Sequence, residues 1–167
     1  MEQGWYTVLI PEKKDLTAKG YLQQLIKIEK RVFPKHESMA SVFEAELRKR
    51  NTCVAVAVVN STEVIGYILW TRERSEGKIV KLCVAPEYQK RGVGGRLLDT
   101  ALGCLGALES QRGVTGACER VMLQVDPKRE AAVKLYASRG FCQLRMLADY
   151  YCKGRDAMAA ELIVGTS

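Results

Sequence analysis

The sequence predicts a mixed α/β fold, in which a central, largely antiparallel sheet of about seven strands carries about four helices on its faces. Two observations predict it. Some apolar segments are short runs typical of strands, whereas others place apolar residues at helical spacing. Along the chain these segments follow the order β-α-α-β-β-β-α-β-α-β-β. The length of 167 residues also fits one domain, since about 100–200 residues per domain is usual. We therefore predict a single domain over residues 1–167.

The chain begins with a predicted strand and a predicted amphipathic helix. The strand covers WYTVLIP at 5–11 and stops at its proline. Apolar residues then recur at mostly helical spacing over 19–33, and Pro34 ends this helix. A second helix is expected to run to about Arg50, because Ser41 and Glu44 have the spacing of a capping box. Ser38 is an alternative cap.

The middle of the chain predicts a hairpin and a further strand. The runs at 52–59 and 63–73 are apolar and rich in β-branched residues, and Asn60-Ser61-Thr62 forms the turn between them. A second turn at 75–77 precedes a strand at 78–85. The remaining predicted elements are a helix at 93–108, a glycine-rich loop at 110–119, a strand at 120–125, a helix at 129–140 closed by Gly140, and strands at 141–147 and 157–164.

Composition narrows the class of protein. An apolar share of 47% and a charged share of 27% are typical of a soluble globular protein. No apolar run approaches the roughly 18 residues that span a bilayer, and the N-terminus lacks the pattern of a signal peptide. We expect a cytoplasmic location, with the nucleus open, and no membrane partner. The six cysteines form no C-x-x-C pair and His36 is the one histidine, so we expect reduced thiols and no metal site.

A glycine-rich turn between a strand and a helix indicates an anion site. Gln89-Lys90-Arg91-Gly92-Val93-Gly94-Gly95 lacks the Walker A pattern and the third glycine of a dinucleotide fingerprint, but it matches Q-x-x-G-x-G/A. Glycine lets the backbone approach a ligand closely, and the free N–H groups of the next helix point at an anion. Two adjacent cations add positive charge. The segment is predicted to hold a pyrophosphate.

These features resemble the GNAT superfamily of acetyl-CoA-dependent N-acetyltransferases, and the resemblance covers nearly the whole chain. The strand, the Q-x-x-G-x-G turn, the helix, the strand and a helix with AAVKLYASRGF follow one another as in that family. Within it, the chain is most similar to RimI-type and related protein N-terminal acetyltransferases. The similar pieces are EKRVFP at 29–34, LQVDPKREAAVKLYASRGF at 123–141 and DYYCKGRDAMAAEL at 149–162.

The resemblance implies roles for particular positions. Backbone groups of Leu82, Cys83 and Val84 would bind the pantetheine arm and polarise the thioester. Tyr136 would donate a proton to the leaving thiolate. The segment Lys90–Gly95, with Gln89, would hold the pyrophosphate, while Arg129 replaces a family asparagine and reaches a phosphate or faces solvent. The residues expected to flank an acceptor peptide are Phe33, Pro34, Tyr150 and Tyr151.

Two departures from the family leave the general base unassigned. Lys78 and Gln124 stand where related enzymes carry glutamate. Glu73, Asp126 and Glu37 are candidates, and a chain of water molecules is an equal alternative. A peptide α-amine titrates near 7.7–8.0 and a lysine ε-amine near 10.4, so an α-amine demands less of the enzyme. This favours peptide or protein N-termini as acceptors, with attack of the amine directly on the thioester.

The sequence leaves alternatives open for the acceptor, the activity and the oligomeric state. The acceptor is open between an N-terminus, a lysine and a small amine, and the missing glutamates also fit a CoA-binding module without catalysis. The net charge of +7 would suit a nucleic-acid partner, but the sequence has no basic face interleaved with aromatics, so we do not expect one. A monomer and a homodimer both fit the sequence.

Overall fold

The computed structural model describes residues 4–108 and 115–165. Its seven strands form one sheet in the order β1-β2-β3-β4-β5-β7-β6. The β1–β2, β5–β7 and β6–β7 pairs are antiparallel, whereas β4 and β5 are parallel. The sheet is therefore mixed, as the sequence predicted. No helix within 4–108 and 115–165 is long and apolar enough to cross a membrane.

The elements follow the predicted order with one additional helix at the start. Their bounds are β1 Thr7–Leu9, α1 Lys13–Ala18, α2 Tyr21–Val32, α3 Phe43–Arg48, β2 Thr52–Val59, β3 Glu63–Glu73, β4 Glu76–Val84, a 3-10 turn Pro86–Tyr88, α4 Val93–Cys104, β5 Arg120–Val125, α5 Glu130–Ser138, β6 Cys142–Cys152 and β7 Arg155–Ile163. The predicted strands at 52–59, 63–73 and 120–125 coincide with β2, β3 and β5.

Several predicted boundaries were wrong. Helix α3 begins at Phe43, and its N-cap Val42 makes no side-chain capping bond. Neither Ser41 nor Ser38 is the N-cap residue, and the hydroxyl of Ser38 instead accepts from Ala40 N, at 3.2 Å, in the preceding turn. Strand β4 begins inside the predicted turn at 75–77. Residues 110–114 of the predicted glycine-rich loop lie outside the described residues.

Glycines close helices α4 and α5 in the same way. Helix α4 ends four residues before the predicted Leu108, because Gly106 adopts a φ of 68° and Ala107 N donates to Leu102 O at 2.8 Å. Gly140 has a φ of 90°, and Phe141 N donates to Tyr136 O at 3.2 Å. Both are Schellman closures. The predicted closing role of Gly140 is thus confirmed.

The chain divides into two compact units. The first comprises Met1–Trp70 and Lys81–Ala101, and the second comprises Thr71–Val80 and Leu102–Ser167. Fully or almost fully buried side chains of the first unit include Leu25, Phe43, Ile65, Tyr67 and Leu97. Those of the second include Leu102, Leu105, Val121, Leu123 and Leu162. The single domain over 1–167 stays a prediction.

Gly66 of β3 allows a close approach to β4. A Cβ atom at this position would lie 2.8 Å from Cys83 O and 3.3 Å from both Val84 Cα and Leu97 Cδ1. Beyond that contact, Ala85 N donates to Ile65 O at 2.8 Å. Any side chain at residue 66 must therefore displace the backbone of β4, because Cβ atoms do not come within 3.0 Å of such an atom.

We expect Gly66→Ala to lower the free energy of unfolding by about 1–3 kcal/mol, the usual cost of overpacking. Urea unfolding measures this change. The matched control is Gly103→Ala in α4, where the nearest neighbour of an added Cβ is Leu108 Cδ1 at an ordinary 3.5 Å. The control should be neutral or stabilising, since alanine is the better helix former by about 1 kcal/mol. Equal effects of the two substitutions would contradict the steric argument.

Candidate active site

The glycine-rich turn follows the end of β4 and has a defined backbone. The side-chain amide of Gln89 donates to Val84 O at 2.9 Å, which ties the turn back to the strand. Lys90 and Gly92 both adopt left-handed conformations, with φ of 60° and 82°. For Gly92 this is the conformation that glycine adopts without steric cost. The chain thus reverses direction in a tight turn before α4 begins at Val93.

Helix α4 presents its unbonded N–H groups to this turn. The first helical hydrogen bond runs from Arg96 N to Gly92 O at 3.1 Å. The N–H groups of Val93, Gly94 and Gly95 therefore have no acceptor within the helix. Such groups, together with the positive end of the helix dipole, bind anions. The residues of the predicted pyrophosphate segment fit a diphosphate.

Leu82, Cys83 and Val84 form the end of β4 just before the turn. The parallel ladder with β5 runs from Glu76–Arg120 to Ile79–Leu123, so it ends three residues before Leu82. The side chain of Cys83 is buried, while those of its two neighbours are partly exposed. The close approach at Gly66 places the backbone of Cys83 and Val84 directly against β3. Rigid backbone is what a site of oriented N–H and C=O groups requires.

A buried carboxylate lies on α2, before the predicted acceptor segment. Glu29 is 0% exposed. Its Oε1 accepts from Met39 N at 2.7 Å, and its Oε2 accepts from the hydroxyl of Tyr67 in β3. The Tyr67 phenol has a pKa well above its usual value, mainly because it is buried and also because Cys83 and Glu29 lie near it, so it acts as a donor.

Lys81 of β4 completes this buried group. Its Nζ lies 3.4 Å from Glu29 Oε1 and donates to Glu37 O at 2.7 Å. The same ammonium stands 3.7 Å from the centre of the Phe33 ring. Glu29, Tyr67 and Lys81 therefore join α2, β3 and β4 to the segment that contains Phe33 and Pro34. We call these three residues the Glu29 cluster.

The segment after α2 is itself a compact turn. Pro34 O accepts from the backbone N–H groups of Glu37 and Ser38, at 2.9 and 3.0 Å. The Glu37 side chain is only 2% exposed, and its Oε1 lies 3.6 Å from His36 Nε2. Glu37 is thus a largely buried carboxylate close in sequence to the predicted acceptor residues.

Tyr136 lies in the second unit, on helix α5. Its ring is buried and meets Phe141 edge-on, with 5.8 Å between ring centres. Burial raises the pKa of its hydroxyl well above the usual range for tyrosine, Tyr151 raises it further, and Arg129 opposes the shift. The phenol therefore keeps its proton and acts as a hydrogen-bond donor.

Asp126 is engaged in structural contacts at the start of α5. Its Oδ1 accepts from Lys128 N at 2.9 Å, and its Oδ2 pairs with Arg155. Burial raises the pKa of Asp126, but these two contacts and the charge of Arg129 lower it more, so the net shift is downward. A carboxylate with lowered proton affinity is a weak general base. Arg129 is the N-cap residue of α5, and its carbonyl accepts from Val133 N at 3.0 Å.

Tyr150 and Tyr151 stand in a bulge of β6. The ladder with β7 pairs Leu147 with Ala157 and then Cys152 with Arg155, so four residues, 148–151, oppose the single Asp156. Asp149 has a φ of 51°, its N–H donates to Asp156 Oδ1 at 2.8 Å, and its own Oδ1 accepts from Gly154 N at 2.6 Å. The two rings meet edge-on at 5.0 Å, and Tyr150 is 48% exposed. Such bulges redirect side chains beside functional sites.

The remaining candidates lie in the second unit. Lys78 and Glu73 are exposed, and Gln124 is partly exposed opposite Ala159. Sequence reasoning missed Glu29, Tyr67, Lys81 and Gly66. Glu29 carried one signal, since it is an acidic residue on the apolar stripe of an amphipathic helix. In the part of the chain that the structure describes, no group of three or more His, Cys, Asp or Glu residues is placed to hold a metal ion.

Comparison with known families identifies the fold and the class of enzyme. A family model described as the acetyltransferase (GNAT) family matches residues 22–141, which is more than two thirds of the chain. The chain belongs to the GNAT family and is an acetyl-CoA-dependent acetyltransferase. The resemblance noted in the sequence is thereby confirmed.

Relatives in sequence carry a common name. The chain is 29% identical to the N-alpha-acetyltransferase of Sulfurisphaera tokodaii over 155 residues, which cover 84% of this chain and 87% of that protein. It is 31% identical to N-alpha-acetyltransferase 30 of Xenopus laevis over 86 residues. That second match covers 52% of this chain but only 29% of the much longer frog protein.

Solved structures share the fold. The ribosomal-protein-S18-alanine N-acetyltransferase of Escherichia coli superposes with a TM-score of 0.76 at 22% identity, covering 97% of this chain and 96% of that one. Ard1 of Thermoplasma volcanium gives a TM-score of 0.75 at 21% identity, covering 97% of this chain and 99% of that one. These similarities establish the GNAT fold with its seven-stranded sheet and five helices.

The Glu29 cluster predicts a strong energetic coupling. Lys81→Met leaves a buried carboxylate without its cation, a change that usually costs about 3–5 kcal/mol. The double variant Glu29→Gln/Lys81→Met removes both charges and keeps an amide oxygen that can accept from Met39 N. We therefore expect it to be more stable than Lys81→Met alone when the free energy of unfolding is measured in urea.

A surface pair provides the control for this cycle. Lys49 Nζ pairs with Glu46 Oε1 at 2.6 Å, and the lysine side chain is 57% exposed. Lys49→Met should therefore change stability by less than about 1 kcal/mol. If the double variant were as unstable as the two single variants combined, Glu29 and Lys81 would not be coupled.

Proposed function

We propose that this acetyltransferase transfers the acetyl group of acetyl-CoA to the free α-amine of a peptide or protein N-terminus. The observation that supports this acceptor is the shared name of three relatives, from Sulfurisphaera tokodaii, Saccharolobus solfataricus and Sulfolobus acidocaldarius. Each is called N-alpha-acetyltransferase and is matched over more than four fifths of this chain. The amine nitrogen attacks the thioester carbonyl directly, so that a C–N bond forms and the C–S bond breaks. CoA leaves as its thiolate, and the proton of the amine passes to a base or to water.

The first unit supplies the residues proposed to hold acetyl-CoA. The turn from Gln89 to Gly95 offers left-handed backbone at Lys90 and Gly92 and the start of a helix, whose free N–H groups suit a diphosphate. The backbone of Leu82–Val84 lies beyond the ladder with β5, so these peptide groups are not part of that ladder and are proposed to bind the pantetheine arm. Arg129, in the second unit, is proposed to add positive charge towards the cofactor.

Tyr136 is the residue proposed to act on the leaving group. Its raised pKa keeps the phenol protonated, which suits a donor to a developing thiolate. Because the pKa is raised so far, complete loss of the proton is costly. The phenol therefore stabilises the thiolate mainly by donating a hydrogen bond to it.

The proposed acceptor residues are Phe33 and Pro34 after α2, with Tyr150 and Tyr151 in the β6 bulge. Tyrosine offers an apolar face and a hydroxyl, which together suit a peptide backbone. No strong base is required, since an α-amine with a pKa of about 7.7–8.0 is partly neutral at neutral pH. Glu37, Glu73 and bound water stay candidates for the base, whereas the contacts of Asp126 favour a structural role.

Some properties of the protein stay predictions. They are a cytoplasmic or nuclear location, a monomer or homodimer as the functional form, and the absence of nucleic-acid and membrane partners.

The acceptor class is tested with two peptides. One has a free N-terminus and no lysine, and the other has a blocked N-terminus with internal lysines. We expect the free peptide to be acetylated at least ten-fold faster at pH 7, because its amine has the lower pKa. Acetyl incorporation is measured by mass spectrometry. Faster acetylation of the blocked peptide would assign the protein to the lysine acetyltransferases.

The role of Tyr136 is tested with Tyr136→Phe. We expect kcat to fall by about 10²-fold, the usual cost of removing one hydrogen-bond donor at a developing charge, while calorimetry gives an unchanged Kd for CoA. The matched control is Tyr21→Phe, since that buried hydroxyl of the first unit donates to Ser61 O at 2.9 Å, outside the proposed site. An unchanged kcat in Tyr136→Phe would leave its ring as a packing residue.

A further inference from the structure

A largely buried cation contacts both ends of the turn that follows α2. The Nζ atom of Lys81 lies 3.7 Å from the centre of the Phe33 ring, where the turn starts, and donates to Glu37 O at 2.7 Å, where it ends. Between them, Pro34 O accepts from Glu37 N at 2.9 Å. We call residues 33–37 the acceptor turn, because Phe33 and Pro34 are proposed to bind the acceptor. One side chain therefore fixes this turn at two points.

The surroundings of Lys81 keep its ammonium in place. Its side chain is only 13% exposed, and the fully buried carboxylate of Glu29 lies 3.4 Å away and balances the charge. A cation that has lost most of its water interacts more strongly with an aromatic ring than an exposed cation does. The hydrogen bond to Glu37 O restrains the same ammonium further. The Phe33 ring is therefore held by a group that is itself fixed.

Lys81 also belongs to the strand that is proposed to bind the thioester. It directly precedes residues 82–84, whose backbone is proposed to hold the pantetheine arm, and the close approach at Gly66 packs that backbone against β3. The acceptor turn and the thioester strand are thus joined by one side chain. Reacting atoms must come within about 3–3.5 Å of each other, and a small misplacement lowers the rate steeply. Lys81 is therefore placed where it can set the approach of the amine.

We propose that Lys81 is a positioning residue for the acceptor, because it holds the Phe33 ring and the acceptor turn against the strand that binds the thioester. The proposal rests on the proposed function, and in particular on Phe33 and Pro34 as acceptor residues. Lys81 itself touches neither the amine nor the thioester and transfers no proton. Its effect passes through the Phe33 ring, while the bond to Glu37 O keeps the ammonium in place.

The alternative is that Lys81 only stabilises the fold. Lys81→Met does not separate the two roles, because it leaves the buried carboxylate of Glu29 without its cation and lowers stability as well. Glu29→Gln/Lys81→Met does separate them. This double variant removes both charges and keeps a side-chain oxygen that accepts from Met39 N, so α2 and the end of the turn stay anchored. Only the contacts of the ammonium with the Phe33 ring and with Glu37 O are lost.

The test is the steady-state kinetics of the full chain with the lysine-free peptide that has a free N-terminus. We expect the double variant to raise KM for this peptide about ten-fold, the size of one cation–π contact in a largely buried place. Its kcat should stay within about three-fold of the wild type, since the lost contacts act on binding. Its Kd for CoA, measured by calorimetry, should not change. The control Lys49→Met loses only an exposed pair with Glu46 and should keep every constant.

The route through the ring is tested with Phe33→Leu, introduced into the wild type and into the double variant. Residues that act as a unit have effects that are not additive. We therefore expect Phe33→Leu to raise KM for the peptide less in the double variant than in the wild type. Equal fold-changes in the two backgrounds would show that Lys81 does not act through Phe33 and would overturn the proposal.

The outcomes separate the role of Lys81 from the proposed function. If the wild type acetylates the free peptide and the double variant keeps the wild-type KM, Lys81 is not a positioning residue, while the proposed function stands. A parallel loss of CoA affinity would indicate general damage to the fold and would also overturn the role of Lys81. If the wild type acetylates only the peptide with the blocked N-terminus, the proposed function fails. The same comparison of KM then applies to that peptide, because either acceptor must reach the same thioester.

Discussion

The buried carboxylate of Glu29 is the constraint on which the first unit depends. A buried charge needs hydrogen-bonding or ionic partners, because the free energy of burying an unpaired charge far exceeds what a single contact contributes. Here the partners are the Met39 amide, the Tyr67 hydroxyl and the Lys81 ammonium. Each comes from a different segment, so satisfying one side chain fixes α2, the turn after it and two strands together. Solvent-exposed ion pairs such as Lys49–Glu46 impose no comparable restriction.

This constraint extends along the chain into the cofactor region. Lys81 is followed directly by Leu82–Val84, and Gln89 then bonds back to Val84 before α4 begins. On the other side, Gly66 lets β3 lie against the same stretch of β4. The backbone proposed to bind acetyl-CoA is thus held by a buried ion pair at one end, by close packing in the middle and by a side-chain hydrogen bond at the other end. Preorganised backbone is more effective at a developing charge than backbone that must move.

Local patterns in the sequence predicted the sheet and the cofactor turn but not the tertiary contacts. Apolar runs rich in β-branched residues marked β2 and β3 correctly, and the glycine spacing marked the turn before α4, because both depend on neighbours within a few residues. The capping spacing of Ser41 and Glu44 failed, since the preceding turn determined where α3 starts. The Glu29 cluster joins residues up to 52 positions apart, from 29 to 81. The periodic spacing of apolar residues along the sequence does not reveal contacts between residues so far apart.

The bulge of β6 and the glycine-rich turn are shaped by separate sets of contacts. The shape of the bulge depends on Asp149 and Asp156, which bond to the backbone of their own hairpin. Exchanges at Tyr150 and Tyr151 leave both of these hydrogen bonds in place, while the glycine-rich turn keeps its own contacts. Substitutions at Tyr150 and Tyr151 can therefore change the surface of the hairpin without altering the contacts of the turn proposed to bind the acetyl donor.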